Sequence, residues 1–198
     1  MTNASFFVYF CCMKIGLFFG SFNPIHNGHL AIAESIAQQK LFDQIWLVVS
    51  PNNPLKEKND LLPGKERLEM VKLAIQNFPN LYACDVEFSL PKPSYTINTL
   101  HFLENQYPND EFSLILGNDN MDNFHLWKNY EEILERFTIY VYPRSNEAFE
   151  KKEHPHIVYL DAPLLPISAT EIRNLLKHGK PIEDYLPLTV IDFLKNNG

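Results

Sequence analysis

The chain has no apolar run near the ~20 residues that a membrane-spanning helix requires, so no membrane association is expected. Cysteine is scarce: Cys11, Cys12 and Cys84. An odd count with two adjacent members gives no disulfide framework and lacks zinc-site spacing. This points to a reducing, cytoplasmic compartment. Positive charge is also short, with 17 Lys and Arg against 24 Asp and Glu, a net charge of −7. Nucleic-acid binders usually carry a basic excess, so no nucleic-acid partner is expected. A cationic pocket for a small phosphorylated molecule remains compatible, if few residues build it. There is no internal repeat, no low-complexity segment and no proline-rich block; the 14 prolines are spread as punctuation.

What is present is ordinary globular material. Hydrophobic residues make up 45% and charged residues 21%, which excludes disorder as a global description. A chain of 198 residues is one domain, large enough to bury roughly 70% of its unfolded surface. The apolar stretch Phe6–Met13 has no Lys or Arg before it and no small-residue cleavage site after it, so it does not read as a signal peptide. Met13 opens a run, MKIGLFFGSFNP, that looks like a natural start. Residues 13–198 are therefore expected to form the domain, with residues 1–12 a non-native extension from an over-extended gene model or a loose leader.

Short apolar runs alternate with segments of helical spacing. Strands are expected at Lys14–Phe19, Ile45–Val49, Leu81–Cys84, Val86–Phe88, Phe112–Leu116, Thr138–Val141 and Ile157–Leu160. Helices are expected from near Asn27 to Gln39, and at Arg67–Phe78, Tyr95–Asn105, 122–136, Thr170–His178 and Val190–Leu194. Residues 51–63 read as loop. Strands this continuously apolar, alternating with helices, argue an α/β fold: a doubly wound, Rossmann-like parallel sheet with helices on both faces. In such sheets ligands bind beyond the carboxyl ends of the strands, so the loops after strands are where chemistry is expected.

The loop after the first strand reads G-S-F-N-P-I-H-N-G-H, Gly20 to His29. Asn23–Pro24 favours a turn, and Asn27 suits a helix N-cap. His26 and His29, three apart, can face one side of that helix start. A helix N-terminus is a ready anion site, and imidazoles there can donate to phosphate oxygens. The pair could instead cap the helix, sit in the core, or be half of a metal site, though no nearby Cys, Asp or Glu completes one. The whole string resembles the G-x-F-x-P-x-H-x-G-H signature of the nucleotidyltransferase superfamily of adenylyl- and cytidylyltransferases. The resemblance implies that Gly20, Ser21, Phe22, His26 and His29 meet the nucleoside triphosphate, with the two histidines stabilising its transition state.

Near the C-terminus stands I-S-A-T-E-I-R, Ile167 to Arg173. Ser168 and Glu171 fit a capping box. Arg173, early in its helix, opposes the helix dipole, which is easier to understand with an anion nearby. The segment resembles the I-S-[ST]-[ST]-x-[IV]-[RK] motif of the same superfamily, with Ala169 a mild departure. That carries Ile167, Ser168, Thr170 and Arg173 to the triphosphate.

Further stretches resemble the nicotinate-nucleotide adenylyltransferases in particular. In P-S-Y-T-I-N-T-L, Pro93–Leu100, the family position that holds the nicotinate is Thr96; Ser94 or Thr96 could equally be a plain helix cap. In L-I-L-G-N-D-N, Leu114–Asn120, Gly117 and Asp119 match positions that meet the adenosine ribose, and Trp127 matches an aromatic that stacks on the pyridine ring. Arg144, in Y-P-R, matches a basic position near the phosphates. Asn23 and Asn52 fall on the acceptor side. In P-N-N-P-L-K, Pro51–Lys56, Leu55 replaces the usual His, which leaves Lys56 and Lys58 competing as the substrate-side cation. Lys128 stands after Trp127 where an aromatic is common.

The resemblance implies transfer of AMP from ATP to nicotinate mononucleotide, giving deamido-NAD and pyrophosphate, with Mg²⁺ bridging the triphosphate and few protein ligands to it. His26, His29 and Arg173 would be the catalytic groups. The alternatives are a superfamily member with another phosphorylated acceptor, such as nicotinamide mononucleotide or phosphopantetheine, and a catalytically silent nucleotide sensor. The oligomeric state and the acid-versus-amide preference are not written in the sequence.

Overall fold

A computed structural model describes residues 12–51, 61–144 and 151–197. Six strands form one parallel sheet: β1 (Lys14–Gly20), β2 (Gln44–Val49), β3 (Leu81–Cys84), β4 (Glu111–Gly117), β5 (Ile139–Tyr142) and β6 (Ile157–Tyr159). Their spatial order is β3-β2-β1-β4-β5-β6, and every pairing is parallel. The chain thus winds outward from β1 in one direction, then returns to β1's other side with β4. The order reverses between β1 and β4, where the connections leave to opposite faces and open a crevice.

Why the strands are apolar throughout is visible in their alternation. Along β1, Ile15 and Leu17 join one core and Phe18 the other. Along β2, Ile45, Leu47 and Val49 face the second core while Val48 faces the first. Both faces are covered, so both side-chain sets must be apolar. One layer comprises α1 (Asn27–Gln38), α2 (Gly64–Ile75), α6 (Ala169–Lys177) and α7 (Leu188–Asn197), with Ala33, Ile36, Val71, Ile172 and Val190 in its core. The other comprises α3 (Thr96–Gln106), α4 (Asn118–Asp122) and α5 (Tyr130–Arg136), with Ile97, Leu100, Met121 and Ile133 inward. Among the described residues no helix is long and apolar enough to cross a membrane.

Two expected elements differ. Val86–Phe88 is a 3-10 turn rather than a strand. Its middle residue, Glu87, is buried and accepts a 2.9 Å hydrogen bond from the Thr99 hydroxyl, which an extended ladder would not provide. The helix expected over 122–136 is broken into α4, a 3-10 turn at Phe124–Leu126, and α5. Asn129 separates the pieces with φ of 53°, a left-handed conformation that Asn tolerates and a helix interior does not. The end of α6 follows expectation. Gly179 takes φ of 60°, and the N–H groups of Gly179 and Lys180 bond back to Leu176 and Leu175 at 3.1 and 3.0 Å.

Candidate active site

Over the carboxyl ends of the strands, at the β1–β4 crevice, lies a cavity of about 1100 Å³. From one layer it receives the β1–α1 loop and the start of α6. From the other it receives the approach to α3 and the β4–α5 connection.

The β1–α1 loop is built tightly. Phe22 is buried with φ of 46°, a left-handed conformation uncommon for an aromatic residue and held by its surroundings. Its ring meets the His29 ring edge-on at 5.1 Å. His26, rather than Asn27, caps α1; Asn27 is the first helical residue, and its N–H donates to the Tyr185 carbonyl at 2.9 Å. The His26 and His29 rings stack, with centroids 3.7 Å apart. Gly28 allows this, because a Cβ there would come within 3.0 Å of the His26 ring. The His26 backbone N–H donates to His29 Nδ1 at 3.3 Å, so in the neutral ring the proton belongs on Nε2. His26 is buried, and burial together with the nearby Arg144 charge pushes its pKa down to about 4. At neutral pH it is an uncharged imidazole.

Helix α6 adds the cation. Ser168 caps it, its hydroxyl accepting from the Glu171 N–H at 3.1 Å. Arg173 donates to the Asn23 carbonyl at 2.9 Å across 150 residues of chain, and to the Thr170 hydroxyl at 3.2 Å. Its buried Nε has no hydrogen-bond partner among the described residues. Ile167, Ser168 and Thr170 line the same cavity beside Gly20, Ser21 and Asn23.

On the β4 side, Asp119 pairs with Arg144 at 2.9 Å. Gly117 makes room for this: a Cβ there would lie 2.5 Å from Arg144 Cδ. Thr96 is the first residue of α3 after the cap Tyr95, so it is neither cap nor core, and it lines the cavity. Trp127 packs half-buried on Phe124 with ring centroids 5.4 Å apart and lines the cavity. All the anticipated site residues that are described therefore meet around one cavity. Asn52, Lys56 and the competing Lys58 lie outside the described residues.

Two residues, one behind this site and one on it, were not anticipated. Arg67, fully buried, donates through Nη1 to the carbonyls of Ser21 and Ser50, through Nη2 to Pro51 and through Nε to Leu62. It ties the loop after β1 to the loop after β2. A signal existed: by helical spacing Arg67 shares the apolar stripe of Val71 and Ala74, where a cation needs a reason. Glu87 lines the cavity from below, and burial raises its pKa. Nothing in its sequence context marked it.

Comparison with known proteins agrees with this geometry. A cytidylyltransferase-like family model matches residues 17–175. A protein of Flavobacterium johnsoniae named as a nicotinate-nucleotide adenylyltransferase is 52% identical over 188 residues, covering 93% of this chain and 97% of the relative. One of Cytophaga hutchinsonii with the same name is 53% identical over 172 residues, covering 86% and 89%. Among solved structures, the Plasmodium falciparum nicotinic acid mononucleotide adenylyltransferase complexed with NaAD superposes with a TM-score of 0.80 at 23% identity, covering 92% of this chain and 95% of that one. A Vibrio parahaemolyticus structure titled as a nicotinate-nucleotide adenylyltransferase gives a TM-score of 0.69 at 26% identity, covering 92% of both chains. The chain belongs to the cytidylyltransferase-like family and, within it, to the nicotinate-nucleotide adenylyltransferases.

Proposed function

We infer that this protein transfers AMP from ATP to nicotinate mononucleotide, forming deamido-NAD and pyrophosphate. The observation that carries the reading is the convergence of His26, His29 and Arg173 on one wall of a cavity whose opposite wall carries Thr96 and Trp127. One wall suits a triphosphate, the other a flat ring.

A phosphate oxygen of the mononucleotide attacks the α-phosphorus of ATP, and the bond from that phosphorus to the bridging oxygen of the β-phosphate breaks. The attacking phosphate is already ionised at neutral pH, so no side chain need deprotonate it. Catalysis is then positioning and charge stabilisation. Arg173 is held by Asn23 and Thr170, with Nε left over for an anion. The neutral His26 and the Nε2-protonated His29 donate hydrogen bonds without bringing a permanent charge to the acceptor's phosphate. Asp119 and Gly117 take the adenosine ribose. Arg144, paired with Asp119 on the same wall of the cavity, would meet the phosphates.

Among the described residues no group of three or more His, Cys, Asp or Glu side chains is arranged to hold a metal. Mg²⁺ brought in with ATP would supply neutralisation of phosphate charge beside His26, His29 and Arg173. We read residues 13–198 as one catalytic domain: β1 opens at Lys14, and α7 closes onto α2 through the Thr189 hydroxyl, 3.2 Å from the Leu73 carbonyl. The free thiols Cys12 and Cys84 support a cytoplasmic setting.

The test is pyrophosphate release from ATP and Mg²⁺ with nicotinate mononucleotide, nicotinamide mononucleotide or 4′-phosphopantetheine as acceptor. Preference for the first is expected. His29→Ala should lower kcat by about 10², as loss of one oxyanion donor does, with thermal stability near wild type. Activity within a few-fold of wild type would remove His29 from the mechanism.

A further inference from the structure

Among the described residues the acids lining the cavity are Glu87, Asp119 and Glu171. Asp119 and Glu171 are exposed, Glu87 is buried, and the reaction proposed above makes no use of it. Its neighbours in sequence set its place. Val86 packs against one core and Phe88 against the other. The Phe88 N–H donates to the Asp85 carbonyl at 2.8 Å, and the Ser89 hydroxyl donates to the Val86 carbonyl at 2.9 Å. The closed turn leaves Glu87 between the two layers, beneath the cavity.

Oε1 of Glu87 accepts from the Thr99 hydroxyl at 2.9 Å. Thr99 is itself buried and lies three residues after Thr96, in the first turn of α3. The other groups that favour the charged form of this carboxyl are the Ser50 and Ser94 hydroxyls, from the segment after β2 and the approach to α3. Oε2 and the Ser94 hydroxyl are both buried, and neither completes a hydrogen bond among the described residues. The Ser50 carbonyl accepts from Arg67 at 2.8 Å, and the Ser50 N–H donates to the Gly20 carbonyl at 2.9 Å. The ends of β1 and β2, the turn after β3 and the start of α3 therefore meet around this carboxyl.

Burying a carboxyl here costs desolvation, and burial pushes its pKa up. An apolar side chain would fill the space without that cost. What it could not do is hold a hydroxyl in one direction. The start of α3 lacks such a hold of its own, because its cap residue, Tyr95, makes no side-chain hydrogen bond to the helix. Glu87 supplies the anchor from another element.

We propose that Glu87 is a positioning residue for the acceptor side of the site: through Thr99 it fixes the first turn of α3, and with it Thr96, at the cavity wall. This rests on the function proposed above.

The test uses Glu87→Leu, which fills the space without an acceptor, and Glu87→Gln, which keeps an acceptor for Thr99 at similar size. Glu87→Leu should raise KM for nicotinate mononucleotide about tenfold, with kcat and KM for ATP within about two-fold, the pattern of lost acceptor binding. Glu87→Gln should recover most of the loss. Thr99→Val should raise the same KM, and the double variant Glu87→Leu with Thr99→Val should be no worse than Glu87→Leu alone, because both remove one bond. Equal rises in both KM values, or a lower Tm with unchanged kinetics, would mean that Glu87 only fills the interior, and would overturn the proposal while leaving the parent function intact. Should Glu87→Leu not fold, Thr99→Val decides: an unchanged acceptor KM overturns the proposal. A wild-type protein that does not use nicotinate mononucleotide would defeat the parent function and this proposal together.

Discussion

Arg67→Met is the most informative single perturbation of the scaffold. The guanidinium is fully buried and serves four backbone carbonyls, those of Ser21, Ser50, Pro51 and Leu62. Methionine keeps the unbranched stem about as far as Nε and removes every donor. A buried carbonyl left unpaired costs about 1–3 kcal/mol. Two terms reduce the sum: water from the adjoining cavity can reach some carbonyls, and the desolvation of the guanidinium is recovered. That desolvation is real, since burial lowers the pKa of Arg67. The net expected loss is about 3–5 kcal/mol, comparable with removing one member of a buried ionic cluster. For a chain this size, each kcal/mol moves Tm by ~2–4 °C, so a fall of roughly 10 °C is expected by calorimetry. Urea unfolding should show the same loss in midpoint with an unchanged slope. Arg67→Lys should fall between, because a compact ammonium cannot span three separate segments. A Tm shift of Arg67→Met below about 2 °C would refute the claim that this side chain joins the segments that follow β1 and β2.

Two further perturbations follow from the histidine loop. The pKa of His26 falls from an ordinary 6.5 to about 4 on folding, so the folded state disfavours its protonation. Its contribution to stability is present above pH 6.5 and is lost as pH falls toward 4. Between about pH 7.5 and 4.5 the wild type should lose about 2–3 kcal/mol that His26→Gln does not; parallel stability curves for the two proteins would contradict this. Gly28→Ala places a methyl group 3.0 Å from the His26 ring and should unstack the two imidazoles, lowering kcat while the protein remains folded. A kcat equal to wild type would mean the stacking is incidental to turnover.

The alternation of apolar runs and amphipathic segments suffices to foresee a parallel sheet between helix layers, because burial of both faces leaves its mark on every strand. Strand order leaves no such mark. That β4 returns beside β1 depends on packing between residues far apart in the chain. Local chemistry also misled at particular places. Val86–Phe88 is apolar at its ends but turns around Glu87, whose partner Thr99 lies in another element. The break at Asn129 is a left-handed residue that helical periodicity passes over. At the site, the two motifs could be read because close packing fixes residue types: Gly28 against His26, Ser168 at a helix cap. Arg67 was harder, since its role is defined by backbone carbonyls, which carry no sequence identity.

The bond from Arg173 to the Asn23 carbonyl joins residues 150 apart, and this sets an order in time. A chain emerges from the ribosome N-terminus first, at about 5–20 residues per second. The histidine loop is therefore complete roughly 8–30 seconds before its arginine is made. During that interval β1 and its loop exist without the guanidinium that α6 brings to the cavity. On the function proposed above, a nascent chain that lacks Arg173 would not turn over ATP, so catalysis would begin only after α6 has been synthesised.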